Sequence, residues 1–359
     1  QPILVAAAID WEVTNGVKQG GLARRIEDDI QQRRRKLLGL EPWKESDPNL
    51  PASPFSLSPQ QELERELEGG VILLGRPAFK EWAWGMKKGW GTRLRLEKRD
   101  RDQELASVLA EDGAFDEVEE EGGEEKEKGF GASGIVSSMF GRGDKLGGGG
   151  GEQERDAKLP AGMDARMLEP PSSIPAQPPL CFVDFTNLVG WRNIPRRMVR
   201  FFNRRQDVRS GAELGLAIAF GTKETAREFQ VSEDVPSSPP QGGDLDWGLE
   251  SEAFYPPWVS KQREEIEKSR KRYYEDLKTR LKDTRDLTRG LREPSRLEKN
   301  DMPKTESELR EERFRREKEW RGDEMGHEIV KPEAAVEWDP RWKGSLRVFV
   351  EHVEPNSPN

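Results

Sequence analysis

The stretch GGVILLGRPAFKEWAWGMKKGW, residues 69–90, indicates how this chain folds. Two glycines end a preceding helix, and the apolar run VILLGR that follows them is typical of a strand in a sheet covered on both faces. A proline then begins a helix that places Phe79, Trp82 and Met86 on one face. The stretch therefore predicts a buried strand followed by an amphipathic helix.

Helices are also predicted upstream of this strand. The sequence SPQQELERELEGG supplies Ser58 as an N-cap, Pro59 at the first helical position and Gln61 to complete a capping box. Farther upstream, LARRIEDDIQQRRRKLLG has apolar residues at helical intervals, charges on the opposite face and Gly39 as a stop. The first residues, QPILVAAAIDWEV, predict the end of a helix followed by a strand at about 7–13.

Other apolar runs supply further strands. The run LCFVDF at 180–185 is predicted as a strand, and so is ELGLAIAFG at 213–221. Near the end of the chain, Leu346, Val348 and Val350 alternate as in a half-buried strand. Because strands separated by helices favour an α/β architecture, we expect a Rossmann-like layered domain with a mostly parallel sheet.

Composition divides the chain into five segments. Residues 1–95 and 178–232 are predicted to form the two parts of the α/β domain. Between them, 96–177 is an acidic, glycine-rich and proline-rich insertion that we expect to be disordered, since it has too little apolar surface to bury. A loop is expected at 233–253. The last segment, 254–359, is predicted as charged helices that end in a short strand.

The helical pattern in the last segment is loose. The residues at loosely helical spacing are Val259, Ile266, Tyr273, Leu277 and Leu281. The helices are expected to lie on the α/β domain or to project from it.

The composition argues against several classes of site and partner. Of 359 residues, 33% are hydrophobic and 35% are charged, and the formal net charge is −9. A general polyanion binder needs excess basic charge at its contact face, so we expect no nucleic-acid partner. A single cysteine excludes an intramolecular disulfide and a multi-cysteine metal site. With only two histidines, we expect no histidine-rich metal centre, no histidine-dependent triad and no cofactor.

No run approaches the roughly 18 apolar residues of a transmembrane helix. The chain begins with Gln1 rather than methionine and enters an apolar run at once. We therefore expect a missing N-terminal piece that would hold any targeting signal or membrane span.

Candidate catalytic groups are sparse. The run GGVILLGR lacks the spacing of a phosphate-binding loop, and its glycines suit the end of a helix better. The acidic residues Asp10, Glu12 and Asp184 fall near predicted strand ends, where α/β sites form, but no histidine, cysteine or lysine partner is spaced to complete a catalytic set. Cys181 lies inside an apolar strand, which favours a buried, inert thiol.

The segment VDFTNLVGWRNIPRRMVRFFNRR, 183–205, is the most distinctive. Asn193 is placed to cap a helix whose first turn contains Pro195. On a helical wheel one face carries Ile194, Met198, Phe201 and Phe202, and an adjacent face carries Arg196, Arg197, Arg200 and Arg204. Two interpretations remain open: a core-packed helix with solvated arginines, or a docking face for acidic protein or anionic lipid.

Several long segments carry a resemblance to a known family. They occur in the order QPILVAAAIDWEV, GGVILLGRPAFKEWAWGMKKGW, PPLCFVDFTNLVGWRNIPRRMVRFFNRR, FYPPW and GHEIVKPEAAVEWDPRWKGSLRVF. The chain resembles the fungal fifty-four-kilodalton subunits of the mitochondrial inner-membrane carrier translocase. The resemblance covers most of the ordered sequence and fails in the acidic, glycine-rich insertion and other variable loops.

The resemblance implies a non-enzymatic protein of the mitochondrial inner membrane. Members of the family have an N-terminal membrane span and a large domain in the intermembrane space. They support assembly of the complex that inserts multispanning carrier proteins, and they dock the small chaperones that deliver those proteins. Partners implied in this way are other translocase subunits, the small intermembrane-space chaperones and inner-membrane lipid.

For the contact surface we predict basic and aromatic anchors, which dominate many protein interfaces. The predicted residues are Arg192, Arg196, Arg197, Arg200, Arg204, Trp82, Trp84 and Trp90. The rival interpretation is an α/β enzyme that binds a nucleotide or a lipid phosphate, and a third is an RNA-binding protein.

Overall fold

A computed structural model describes most of the chain. The described residues are 2–42, 59–96, 99–115, 164–186, 188, 190–220, 226–231, 243–255, 258–291, 293 and 305–349. They divide into two compact units. The sheet unit comprises Gln1–Leu96, Gly162–Ser260 and Met325–Asn359, and the helical unit comprises Glu97–Ala161 and Lys261–Glu324.

The elements follow one another along the chain as α1 (Pro2–Ala6), α2 (Gly21–Leu37), α3 (Pro59–Glu68), β1 (Val71–Leu74), α4 (Gly75–Gly91), α5 (Arg101–Glu111), β2 (Leu180–Val183), α6 (Ile194–Phe202), α7 (Arg205–Phe220), β3 (Ala226–Glu228), α8 (Trp258–Thr288), α9 (Glu306–Val330) and β4 (Arg347–Phe349). Short 3-10 helices lie at Ala165–Leu168, Trp191–Asn193, Asp244–Asp246, Leu249–Phe254 and Pro340–Trp342.

The sheet has the strand order β1-β2-β4-β3. Strand β1 pairs in parallel with β2, from Val71 opposite Leu180 to Leu74 opposite Val183. Strand β2 is parallel to β4, and β3 closes the sheet antiparallel to β4. The prediction of an α/β domain with a mostly parallel sheet is confirmed. The finer expectation, a Rossmann-like arrangement, stays a prediction.

The core of the sheet unit lies where α4 packs on the sheet. Phe79, Trp82 and Trp90 of α4 are buried with Phe182 of β2 and Trp342 near the end of the chain. On its other side α4 packs closely against α2, with no room for a side chain at Gly85 and Gly89. The face predicted for this helix is therefore its core face.

Helix α2 buries more charge than its sequence pattern suggests. Arg34 was placed on its solvated face, yet the side chain is buried and donates to the carbonyls of Gly89 at 2.8 Å and Thr92 at 2.7 Å. These carbonyls lie at the C-terminal end of α4, where a cation is favoured by the helix dipole. Burial, followed by repulsion from Arg341, lowers the pKa of this guanidinium.

The helical unit has its own core. Helices α8 and α9 run antiparallel, as shown by the pairing of Arg270 with Glu324 and of Arg285 with Glu306. The residues buried between the helices are Phe115, Ile266, Tyr273, Leu277, Leu281, Leu309 and Trp320. The residues at helical spacing in α8 are all buried, and of these Val259 lies in the sheet unit.

Three sequence predictions are wrong. Residues 213–220, expected as a strand, belong to helix α7. Residues 7–13, where a strand was expected, form neither helix nor strand. The supposedly disordered insertion contains α5, whose N-cap Asp100 accepts from the backbone N–H groups of Asp102 and Gln103, and Ile174 within it is buried in the core.

The other parts of these predictions fall beyond the described chain. They are Ser58 as an N-cap, the insertion at 116–163, the loop at 232–242 and Val350 of the last strand.

Candidate functional site

The distinctive segment forms helix α6, which differs from its prediction at both its start and its packing. A 3-10 turn over Trp191–Asn193 precedes it, and Pro195 lies in its first turn. The Asn193 side chain does not cap the helix; its amide donates to the carbonyl of Phe254 at 3.3 Å. The backbone N–H of Asn203 bonds to Val199 at 3.0 Å and ends the helix.

No residue of α6 is buried. Its apolar face, defined by Ile194, Met198, Phe201 and Phe202, would be buried if the helix packed in the core, but Phe201 is 63% and Phe202 79% exposed. Trp191 just before the helix is 89% exposed. The core-packed interpretation is therefore wrong, and α6 presents large apolar side chains on its surface.

The arginine surface consists of Arg192, Arg196, Arg197, Arg200 and Arg204. All five residues are exposed. The guanidinium of Arg196 lies over the Phe254 ring at 4.7 Å, and that of Arg204 lies over the Phe201 ring at 5.1 Å. Such stacking holds a cation in place while its outer edge stays available for hydrogen bonds.

A buried ion cluster positions the contact on which α6 rests. Glu252 accepts from Arg76 at 3.1 Å and pairs with Lys80 at 2.6 Å, and both cations come from α4. The Arg76 guanidinium also donates to the carbonyl of Trp247 at 2.8 Å. These bonds fix the 3-10 helix that carries Phe254, which stacks on Arg196. Burial lowers the pKa of Lys80, although Glu252 opposes that effect.

A cavity of about 480 Å³ lies beside α6. Arg196, Arg200, Asn203 and Thr186 supply polar groups to its wall, and Phe254 is among its apolar lining. Two guanidinium groups with an amide and a hydroxyl are donors suited to an anionic oxygen. The cavity can therefore accept a phosphate or a carboxylate.

The structure separates the three predicted tryptophans from this surface. Trp82 and Trp90 are buried in the core of the sheet unit, where neither ring is available to a partner. Trp84 is half-buried against Ile329 and Val330, with the Lys88 ammonium 5.7 Å from its ring. The aromatic residues beside the arginines are instead Trp191, Phe201 and Phe202. These three aromatic residues could have been identified from the sequence, because they lie within the same arginine-rich segment, 183–205.

A second, larger cavity of about 1090 Å³ lies in the sheet unit along β1. Most of its lining is apolar, as with Ile72 and Leu74 of the strand. Its charged lining is Glu12, Arg25, Asp29 and Glu81. Of these, Glu12 pairs with Arg25 at 3.2 Å, and Glu81 accepts from the start of α2. Glu12, Arg25 and Glu81 are therefore engaged in contacts within the protein.

The remaining residues that were considered as reactive groups are two acids and one thiol. Asp10 and Asp184 are exposed, and Cys181 is a buried thiol. Within the described ranges no group of three or more histidine, cysteine or acidic residues could hold a metal ion. In the same residues, no helix has the length and apolar character needed to cross a bilayer.

Comparisons with known proteins agree on one family. The profile described as Inner membrane protein import complex subunit Tim54 matches residues 1–330. Mitochondrial import inner membrane translocase subunit TIM54 from two strains of Cryptococcus neoformans var. neoformans serotype D, JEC21 and B-3501A, is 32% identical over 364 residues, which covers 97% of this chain and 72% of each relative. The subunit of the same name from Neurospora crassa is 30% identical over 95 residues, 25% of this chain and 20% of the relative.

No solved structure matches the chain. The resemblance seen in the sequence is confirmed by the profile, which extends over most of the chain, and by the Cryptococcus relatives. The chain therefore belongs to the Tim54 family of inner membrane protein import complex subunits.

Proposed function

We propose that this chain is a non-enzymatic subunit of the mitochondrial inner-membrane carrier translocase. In this role it supports assembly of the complex and docks the intermembrane-space chaperones that deliver multispanning proteins for insertion. The region described here faces the intermembrane space. Family membership supports the translocase, and the exposed surface of α6 supports a role in contact rather than in chemistry.

The single observation that carries the contact role is the exposure of α6 on both its faces. A helix with bulky apolar residues and arginines in water is costly unless something covers it, and such patches mark interaction sites. The contact residues we propose are those of the arginine surface, together with the exposed aromatic residues Trp191, Phe201 and Phe202 beside them. Trp82 and Trp90 are excluded from this surface by their burial.

Charge reversal tests this proposal. The variant Arg196→Glu, Arg200→Glu, Arg204→Glu, expressed as the sole copy in fungal mitochondria, should lower the amount of assembled translocase and slow carrier insertion. The matched control is Arg272→Glu with Arg315→Glu, because both arginines are exposed on the helical unit. Normal assembly and normal carrier import with the α6 variant would overturn the proposal.

A further inference from the structure

We propose that α6 is an interfacial helix that lies in the plane of an anionic bilayer. Its apolar face enters the boundary between headgroups and acyl chains, and the arginine surface binds lipid phosphates. This inference rests on the proposed function only in placing the chain at a membrane, and it names lipid as the partner of α6.

The distribution of side chains around α6 fits this geometry. At 3.6 residues per turn, Phe201, Ile194, Met198 and Phe202 follow one another around one side of the helix. Arg196, Arg197 and Arg200 follow on the adjacent side, where Arg197 borders Phe201. An apolar arc bordered by long cationic side chains is the arrangement of helices that rest in a membrane interface, because arginine stems extend along the apolar boundary while their heads reach phosphate.

The charge of the segment is complementary to anionic lipid. Residues 185–206 contain six arginines and no acidic residue, whereas the whole chain has a formal net charge of −9. An anionic surface therefore attracts this segment and repels an average part of the chain. Basic residues near such a surface contribute about 1 kcal/mol each.

Aromatic residues further favour lipid over an acidic protein. Trp191 lies next to the helix and is 89% exposed, and tryptophan is enriched at the level of lipid headgroups. The 480 Å³ cavity next to the helix offers Arg196, Arg200 and Asn203 to one headgroup phosphate. An acidic protein would use the arginines, but it would not require an exposed arc of four apolar residues.

Binding to vesicles tests the proposal with the purified 359-residue chain. The vesicles consist of phosphatidylcholine alone or of phosphatidylcholine with about one-fifth phosphatidylserine, a lipid typical of anionic leaflets. One variant, Phe201→Ser with Phe202→Ser, removes apolar contact, and another, Arg197→Glu with Arg204→Glu, reverses charge. The controls are Leu291→Ser, since Leu291 is 73% exposed, and Arg272→Glu with Arg315→Glu. Circular dichroism checks that every variant keeps its helix content.

Insertion is measured separately with a polarity-sensitive fluorophore on Phe202→Cys. Cys181, the only native cysteine, is buried, so labelling is directed to the new thiol. On anionic vesicles the emission should shift to the blue, and on phosphatidylcholine alone it should stay that of a label in water. A label on Leu291→Cys should keep the emission of a label in water on both kinds of vesicle.

The expected result is salt-sensitive binding to anionic vesicles that either α6 variant weakens by at least about tenfold and that both controls leave unchanged. Binding that depends on the arginines but not on Phe201 and Phe202, with the label still in water, would overturn insertion. Absence of vesicle binding, with reduced translocase assembly in the charge-reversed mitochondria, would overturn lipid as the partner and favour a protein. That last result would leave the proposed function intact.

Discussion

Glu81 shows how a residue distant in sequence replaces a missing helix cap. Helix α2 follows Gly20, which has a left-handed φ of 77° and no side chain to cap the helix. The Glu81 carboxylate of α4 accepts instead from the backbone N–H of Leu22 at 2.9 Å and of Ala23 at 3.2 Å. A carboxylate at this end of a helix also complements the helix dipole.

The cap of α2 is predicted to depend on pH. Burial raises the pKa of Glu81, although backbone N–H groups at the start of α2 oppose that rise. The folded chain then binds this proton more tightly than the unfolded chain, so the contribution to stability is full below the ordinary value of 4.5 and declines as pH rises through the raised pKa.

Two substitutions at Glu81 separate the effects. Glu81→Gln cannot ionise and should flatten the pH dependence of the free energy of unfolding above pH 4.5, the ordinary pKa of this group. Glu81→Ala should also lose the cap and lower that free energy by about 1 kcal/mol. Urea unfolding across the pH range measures both. Identical pH profiles for the native chain and Glu81→Gln would contradict the account.

Arg313 is predicted to be a stability determinant of the helical unit. Its guanidinium is 2% exposed, pairs with the Asp112 carboxylate and lies 3.2 Å from the Tyr274 hydroxyl. Burial disfavours its charge, yet these partners raise its pKa above the usual value. Arg313→Ala leaves the carboxylate partly buried without its partner and should cost about 3 kcal/mol in urea unfolding.

The neighbouring Arg315 is the control for this prediction. It is exposed on the same helix, so Arg315→Ala should change the free energy of unfolding by less than about 0.5 kcal/mol. Equal changes in the free energy of unfolding from the two substitutions would show that burial and pairing of Arg313 contribute nothing to stability.

At the scale of elements, strong local patterns predicted structure and short apolar runs did not. Helix α4 and strand β1 have starts, stops and periodicity that agree with each other. The run ELGLAIAFG is short and apolar on all sides, so periodicity could not distinguish a strand from a helix, and tertiary packing of α7 against α1 decided it. Helix α5 was missed because the composition of the surrounding acidic, glycine-rich sequence concealed its Asp100 cap.

Only part of the candidate site, its arginines, could be predicted from the sequence. The arginines were identified because their density on one helix is visible in the sequence. Whether the apolar face packs in the core or docks a partner stayed open, because periodicity identifies which residues share a face but not what covers that face. The tryptophans of α4 were misassigned to the surface, although Phe79 and Met86 already indicated that this helix is packed.

Packing between α2 and α4 gives a prediction at this scale. A Cβ at Gly85 would lie 2.7 Å from the carbonyl oxygen of Ala23, and one at Gly89 would lie 2.8 Å from the Cβ of Ile30. Gly85→Ala should therefore destabilise the chain by about 1–3 kcal/mol, despite the better helix propensity of alanine.

Gly211 of α7 is the matched control, since nothing lies within 4 Å of a Cβ built there. Gly211→Ala should be neutral or should stabilise the chain by up to about 1 kcal/mol. Thermal unfolding compares the two glycines, and a higher Tm for Gly85→Ala would contradict the close packing of α2 and α4.

At the scale of the whole molecule, the sheet unit and the helical unit each have a main hydrophobic core among the described residues, and each core receives distant parts of the sequence. Leu277→Ala removes a side chain that is 3% exposed in the helical unit, and Leu180→Ala removes one that is fully buried in the sheet unit. Each should cost about 2–5 kcal/mol and should weaken hydrogen-exchange protection mainly in its own unit. Equal loss of protection in both units from either variant would show a single cooperative core.

The central proposal is that α6 is the surface through which this Tim54-family chain contacts the membrane-bound complex. A photo-crosslinking residue placed at position 202, and another placed at position 272 as a control, tests this in intact mitochondria. The account predicts a phospholipid adduct from position 202 and none from position 272. A translocase protein adduct from position 202 in place of lipid would contradict the bilayer assignment, and no adduct there with lipid or any translocase subunit would contradict the contact role of α6 itself.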